Sequence, residues 1–299
     1  MEKKDLGSVV MYSNRTVLVT GAGGYIGNYV VKTLLDMGIN VSAVDNNTER
    51  VDLRANIMEY NIFSGNKEIF EQLGRPDVCL HMAWRDGFVH NSDSHLNNLY
   101  LHYEFIKNMV NGGLNHVAVM GTMHEVGYHE GEIDEKTPTN PYSMYGIAKN
   151  SLRQSLEVFL KDKDTIFQWL RAFYIYGDDI KSKSVFSKII QAEEEGKETF
   201  PFTLGTNKYD FIPVEELARQ ISLCVLQKEV EGIINCCSGK AVTLKDMVEE
   251  FLRKNEFNIK LNYGVYPERP YDSPEIWGSN KKIQTVLELW NKSVLVDGR

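Results

Sequence analysis

The sequence predicts an α/β protein: a doubly wound parallel sheet followed by a smaller α/β portion. Three observations predict it. Short apolar, β-rich runs alternate with longer runs at helical spacing through the first 177 residues, the pattern of consecutive βαβ units. A glycine-rich turn joins the first such run directly to the first helix. After Gly177 continuous strand runs become fewer, an acidic stretch appears at Glu193 to Glu195, and the loops are rich in Gly, Pro, Asn and Tyr. We therefore divide the chain into a loosely attached tail (1–14), a first domain (15–177) and a ligand-facing portion (178–299), some of whose segments return to the first domain.

The elements follow in order. "TVLVT" (Thr16 to Thr20) is the first strand, and the helix after it runs from about Tyr25 to Met37. "NVSAVD" (Asn40 to Asp45), "VCLHMA" (Val78 to Ala83) and "HVAVMG" (His116 to Gly121) are further strands. Between the last two, Leu96, Leu99, Tyr103, Ile106 and Val110 fall at helical intervals, and Gly112 and Gly113 stop the helix. Another helix spans about Ser143 to Leu160, and the strand "TIFQWLRAFYIYG" follows it.

Composition excludes several classes. A chain of 299 residues, 42% of them hydrophobic, can bury a large core. A net charge of -8 without clusters of Lys and Arg argues against nucleic acid, whose phosphates need such clusters. No run approaches the roughly 20 apolar residues of a membrane span, and "LGSVVMYS" is too short and polar for a signal peptide, so the expected location is the cytoplasm. Cys79, Cys224, Cys236 and Cys237 lack metal-ligand spacing, so reduced, structural cysteines and no metal are expected.

"VTGAGGYIG" sets Gly21, Gly24 and Gly27 between a strand and a helix, with Tyr25 and Ile26 opening that helix. Glycines there permit a tight turn and close approach of a pyrophosphate to the free N–H groups of the helix N-terminus. Eighteen residues after Gly27, at the end of the second strand, Asp45 can accept both adenosine ribose hydroxyls and would repel a 2′-phosphate. The combination predicts a Rossmann-type dinucleotide site with NAD(H) favoured. Arg50 keeps NADP(H) open as the alternative, its other reading being a solvated surface Arg.

"NPYSMYGIAKNSLRQ" places Tyr145 and Lys149 four residues apart, on one face of a helix and about 6 Å apart along its axis. A free tyrosine, with a pKa of about 10, is a poor base near neutrality; a neighbouring ammonium and an oxidised nicotinamide both favour phenolate.

At these residues the chain resembles the extended short-chain dehydrogenase/reductase family, in its nucleotide-sugar-modifying branch of NAD-dependent epimerases and dehydratases. "VLVTGAGGYIG", "DVCLHMAW", "YSMYGIAK", "LRAFYIYG", "YDFIPVEELARQI", "GIINCCSGKAVTLKDMVE" and "ERPYDSPEIWGSNKKI" are similar to family segments in the same order. The resemblance implies hydride transfer between NAD(P)(H) and a sugar carbon, with Tyr145, Lys149 and a Ser or Thr hydroxyl at the reacting oxygen. It implies cofactor contacts from Asn46, Asn61, Ile62, Met82, Ala83, Trp84 and Asn98 beside those already named, a nucleotide-diphosphate sugar as substrate, and a homodimer formed through the helices around Ser94 to Val110 and Ser143 to Leu160.

Departures from the family pattern narrow this. Members commonly read "SSSxVYG" where this chain has "VMGTMHEVGYHEG"; an ungapped count back from Val126 puts Met123 in the hydroxyl column, with Thr122 one residue earlier. Because Met123 cannot donate a hydrogen bond, Thr122 is assigned the role. Sugar 4,6-dehydratases carry an Asp-Glu pair where this chain has His124 and Glu125, which disfavours elimination and leaves both as expected substrate contacts, His124 with a surface role as its alternative. Tyr174 stands where members often have Asn, narrowing the pocket; Arg269 is the expected diphosphate clamp, and Arg85 either a sugar or phosphate contact or an ordinary surface Arg. The function these residues suggest is a reductase of a nucleotide-linked 4-keto-6-deoxy sugar, or its reverse, serving surface polysaccharide synthesis. A 4-epimerase with retained NAD is the alternative; a dehydratase and a non-enzymatic NAD sensor fit less well.

Overall fold

The computed structural model describes residues 15–177, 184–267 and 272–297; the tail at 1–14 and Arg269 lie outside the described residues. Seven parallel strands form the main sheet: β1 (Thr16–Thr20), β2 (Asn40–Val44), β3 (Asn56–Met58), β4 (Val78–His81), β5 (His116–Thr122), β6 (Ile166–Ala172) and β7 (Gly232–Cys236). Their order across the sheet is β7-β6-β5-β4-β1-β2-β3, with every adjacent pair parallel. The order reverses between β1 and β4, so the crevice beyond their C-terminal ends is where a doubly wound sheet receives a ligand.

The strands read as continuous apolar runs because both sheet faces are covered. On one face α1 (Tyr25–Asp36) and α4 (Val214–Leu226) pack together over a core that includes Val17, Val19, Val30, Leu34, Leu217 and Ile221. On the other, α2 (Leu99–Gly112) and α3 (Met144–Leu160) cover Leu18, Phe105, Met109, Val117, Leu152 and Trp169.

A third core, built around Met123, Phe173, Phe186, Tyr209, Phe211 and Phe251, underlies the smaller portion with its short strands. Asp210 ties this portion together: its carboxylate accepts the N–H groups of Ser238, Gly239 and Gly278 at 2.8, 2.9 and 3.1 Å. Residues 214–236 return to the main sheet as α4 and β7, the latter pairing with β6.

Two expected elements are divided. The run "TIFQWLRAFYIYG" splits after Ala172, because Tyr174–Tyr176 leaves the main sheet to pair with Phe211–Pro213. The helix before Gly112 breaks at Asn98, between a single turn at Ser94–Asn97 and α2.

Candidate active site

At the nucleotide end, Gly21 turns the chain out of β1 with a φ of 72°, and a Cβ there would lie 2.6 Å from the Ala83 nitrogen. Only glycine fits a left-handed turn pressed against the end of β4. A Cβ on Gly27 would stand 2.1 Å from the Gly21 carbonyl oxygen, so its absence lets α1 seat on the turn. The N-terminus of α1, with Gly24 at its cap, has no side-chain cap and leaves its first N–H groups for an anion. Tyr25 and Ile26 follow in the first turn, both half-buried.

Asp45 sits just past β2. Its Oδ2 accepts the Gly23 N–H at 2.9 Å and its Oδ1 the Asn47 N–H at 3.2 Å, so the carboxylate is anchored beside the glycine turn with lone pairs to spare. An uncapped helix N-terminus next to an anchored carboxylate fits the pyrophosphate and adenosine ribose of NAD, and Asn46 and Asn61 are exposed nearby in sequence. The Ile62 side chain is buried in the second core, which leaves its backbone to face a ligand. Met82, Ala83 and Trp84 leave β4 half-buried, and the Met82 and Ala83 N–H groups both donate to Thr20 Oγ1 at 3.3 Å. Asn98 stands at the break before α2, its carbonyl accepting the His102 N–H at 3.2 Å.

At the reacting end, β5 delivers Thr122 and α3 delivers Tyr145 and Lys149. Ser143 caps α3 by accepting the Gly146 N–H at 3.1 Å, which starts the helix so that Tyr145 falls in its first turn and Lys149 one turn later. A Cβ on Gly146 would come within 2.5 Å of the His124 carbonyl oxygen, so this glycine lets α3 close onto the turn after β5. The Thr122 hydroxyl accepts the His124 N–H at 3.3 Å and stands near enough to the Tyr145 phenol to favour its ionised form. Met123, the residue an ungapped count puts in the hydroxyl column, is buried in the third core instead.

Lys149 is 2% exposed; its Nζ donates to the Met120 carbonyl at 2.7 Å and lies 3.9 Å from the Trp84 ring centre. Burial pushes the Lys149 ammonium down to about 7, with the Glu125 carboxylate opposing. Burial raises the Tyr145 phenol above its usual value; the Thr122 hydroxyl lowers it, and the Glu125 charge raises it further. Tyr145 is thus protonated at neutral pH, a phenol able to donate a proton.

Glu125 is a correction. Expected at the substrate, it is fully buried: it accepts the Thr122 N–H at 2.7 Å and Trp169 Nε1 at 2.9 Å, with Arg171 at 3.6 Å and Arg153 at 3.8 Å completing an ionic cluster. Its oxygens are used in holding Thr122 and neutralising buried guanidinium groups. His124 does lie at the site, its ring centre 6.2 Å from that of Tyr145, and burial pushes it down to about 4. Tyr174 stacks against Tyr209 at 4.4 Å under the smaller portion, and Arg85 is exposed. Tyr128 is exposed and bonded to Glu130.

Apart from His124, sequence reading missed the histidines. Of the seven, His81, His90, His95 and His102 fall within 22 residues, a density that is itself a signal. His90 stacks on Tyr145 with ring centres 5.4 Å apart and touches His124 at 4.5 Å, while its carbonyl accepts the Tyr145 N–H at 2.9 Å. Gly23 was also missed, although its N–H orients Asp45.

With this geometry in place, comparison with known proteins gives the family. The model of the NAD dependent epimerase/dehydratase family matches residues 17–237. The chain belongs to this family. The chain is 44% identical, over 88% of its length and 99% of the other's, to a dTDP-6-deoxy-L-talose 4-dehydrogenase (NAD(+)) of Aggregatibacter actinomycetemcomitans. A probable UDP-arabinose 4-epimerase of Oryza sativa subsp. japonica is 27% identical over 91% of this chain and 74% of its own length. Among solved structures, a UDP-N-acetylglucosamine 4-epimerase from Methanobrevibacter ruminantium M1 superposes with a TM-score of 0.79 at 22% identity, covering 94% of this chain and 97% of that one. Like these solved structures, the protein is a Rossmann-type doubly wound sheet with flanking helices.

Proposed function

We propose that this epimerase/dehydratase-family protein moves hydride between NAD(H) and C4 of a nucleotide-linked 6-deoxy sugar. It works as a 4-keto-sugar reductase or, in reverse, as the 4-hydroxy-sugar dehydrogenase. The observation that carries this reading is the grouping of the Thr122 hydroxyl, the Tyr145 phenol and the buried Lys149, in a chain 44% identical to a dTDP-6-deoxy-L-talose 4-dehydrogenase. Thr122 and Tyr145 bind the C4 oxygen. Tyr145 gives its phenolic proton to that oxygen in reduction and takes it back in oxidation, while Lys149 holds the nicotinamide ribose and favours the phenolate. NAD(H), when bound, supplies or accepts the hydride. Asp45 supports NAD(H) over NADP(H).

The acid–base equipment favours this over elimination. A dehydratase needs two proton carriers besides Tyr145; Glu125 is sealed in an ionic cluster and His124 is held neutral well below pH 7. Retention of Tyr145 and Lys149 argues against a purely sensing role. Epimerisation is the second reading, favoured by the 4-epimerases related over most of the chain. The substrate fits a dTDP sugar bound across the smaller portion, and Arg269 remains the proposed diphosphate clamp.

The exposed Leu96, Tyr100, Ile147 and Val158, near or on α2 and α3, support a homodimer. We place the protein in the cytoplasm: its four cysteines are free and buried, and among the described residues no helix is long and apolar enough to cross a membrane. The test is a panel of dTDP- and UDP-linked 4-keto and 4-hydroxy sugars with NADH, NADPH and their oxidised forms. Stoichiometric NADH consumption with a dTDP-4-keto-6-deoxy sugar supports the reading; C4 inversion without net cofactor change replaces it with epimerisation.

A further inference from the structure

Trp84 is held from two directions by histidines whose tautomers the surrounding donors fix. Thr20 Oγ1 accepts the Met82 and Ala83 N–H groups, so its own proton goes to His81 Nδ1, 2.8 Å away. His81 then carries its proton on Nε2 and donates to His102 Nδ1 at 2.8 Å, and the His102 ring stacks on Trp84 with centres 4.3 Å apart and planes 15° from parallel. On the other branch Trp84 Nε1 donates to His95 Nδ1 at 3.0 Å, and His95 Nε2 donates to the Val89 carbonyl at 2.9 Å. Burial keeps His81 and His102 neutral at working pH. Four side chains, Thr20, His81, His102 and His95, thus act as a rigid mount for the indole ring of Trp84.

What that ring faces is the Lys149 ammonium, 3.9 Å from its centre and with a single carbonyl acceptor at Met120. We propose that Trp84 is a positioning residue for Lys149: its π face keeps the buried ammonium charged and fixed in place for the ribose of the cofactor. This deepens the cofactor role given to Lys149 above and rests on it. The negative ring face favours ammonium over neutral amine and so opposes the burial that pushes the proton off. The other groups acting on Lys149 are Glu125 from the turn after β5, Tyr145 from α3, and the neutral His81 of β4 and His102 of α2. Glu125 is the only carboxylate among them.

The experiment is the pH dependence of the NADH dissociation constant, with no sugar present. The wild-type protein loses NADH affinity as Lys149 deprotonates, and Lys149→Met binds weakly without that limb. Replacing Trp84 by tryptophans carrying increasing numbers of ring fluorines preserves shape while draining the π face, and should move the limb stepwise to lower pH. Trp84→Leu should move it by about one unit. A limb that stays in place across the fluorinated series overturns the role of Trp84, even if Trp84→Leu misfolds. A limb retained in Lys149→Met instead overturns the assignment of Lys149 to the cofactor. Neither outcome depends on the identity of the sugar.

Discussion

The proposed nucleotide end and the proposed sugar end of this protein are built by different means. At the nucleotide end the groups that meet a ligand are mostly backbone: the turn at Gly21 to Gly24, the uncapped start of α1, and one carboxylate, Asp45, itself held by the N–H groups of Gly23 and Asn47. At the sugar end they are side chains, Thr122, Tyr145, His90 and His124, brought together from the end of β5, the start of α3 and the loop after β4. A backbone site needs glycines at fixed spacing and therefore advertises itself. A side-chain site takes its shape from how elements dock, and the docking devices, such as the closeness of Gly146 to the His124 carbonyl, lie one step behind the chemistry.

Four substitutions would sharpen or break this contrast. Tyr145→Phe removes the proton carrier from the sugar end only, so turnover should fall by about 10²- to 10⁴-fold while NADH affinity is little changed. Steady-state rates beside a binding titration decide it, and a parallel loss of both would merge the two ends. Glu125→Gln leaves the fully buried Arg171 without its carboxylate, whereas Arg153 keeps Glu157 at 2.7 Å, and should cost about 3–5 kcal/mol of stability in a urea titration. An unaffected midpoint would mean that the ionic cluster does not hold the Thr122 turn. Asp45→Ala removes a charge-assisted hydrogen bond of about 1.5–3 kcal/mol, so the preference for NAD over NADP should shrink about ten- to a hundredfold without altering the proton chemistry.

The fourth test concerns pH and concerns neither end. Burial pushes His116 down to about 4 and His81 to about 3 in the folded protein, against about 6.5 in an unfolded chain. Between those values the unfolded state binds protons that the folded state refuses, so stability falls as pH drops below about 6.5 and goes on falling to about 3. His116→Gln, at the start of β5 and away from the site, should reduce the slope of stability against pH by about one proton and leave turnover alone. An unchanged slope would show that His116 is protonated in the folded state.

Much of the fold was legible in the sequence because parallel strands buried on both faces leave continuous apolar runs, and because the Gly21, Gly24, Gly27 and Asp45 pattern fixes the first βαβ unit. Tyr145 and Lys149 were legible as a helical pair. Other features were not. Local spacing does not reveal that Glu125 points away from the ligand, because the guanidinium groups that claim it come from α3 and β6, 28 and 46 residues along the chain. Nor does it reveal that the strand ending at Ala172 changes partners, which depends on Tyr174 pairing with Phe211 in another sheet. Thr122 was legible on chemistry rather than alignment: an ungapped count favours Met123, which has no hydroxyl, and the packing of Met123 into the third core agrees with that choice.

The central claim is that Tyr145, Thr122 and Lys149 carry out net hydride transfer at C4 without elimination and without recycling the cofactor. Its most direct measurement incubates the protein with a dTDP-4-keto-6-deoxy sugar and NADH carrying deuterium at both C4 positions, following absorbance and the isotope in the product. The account predicts one NADH consumed per sugar reduced, with deuterium bound to C4 and the rate lost in Tyr145→Phe. Sugar inverted at C4 with no net NADH consumed, or deuterium absent from C4, would contradict it.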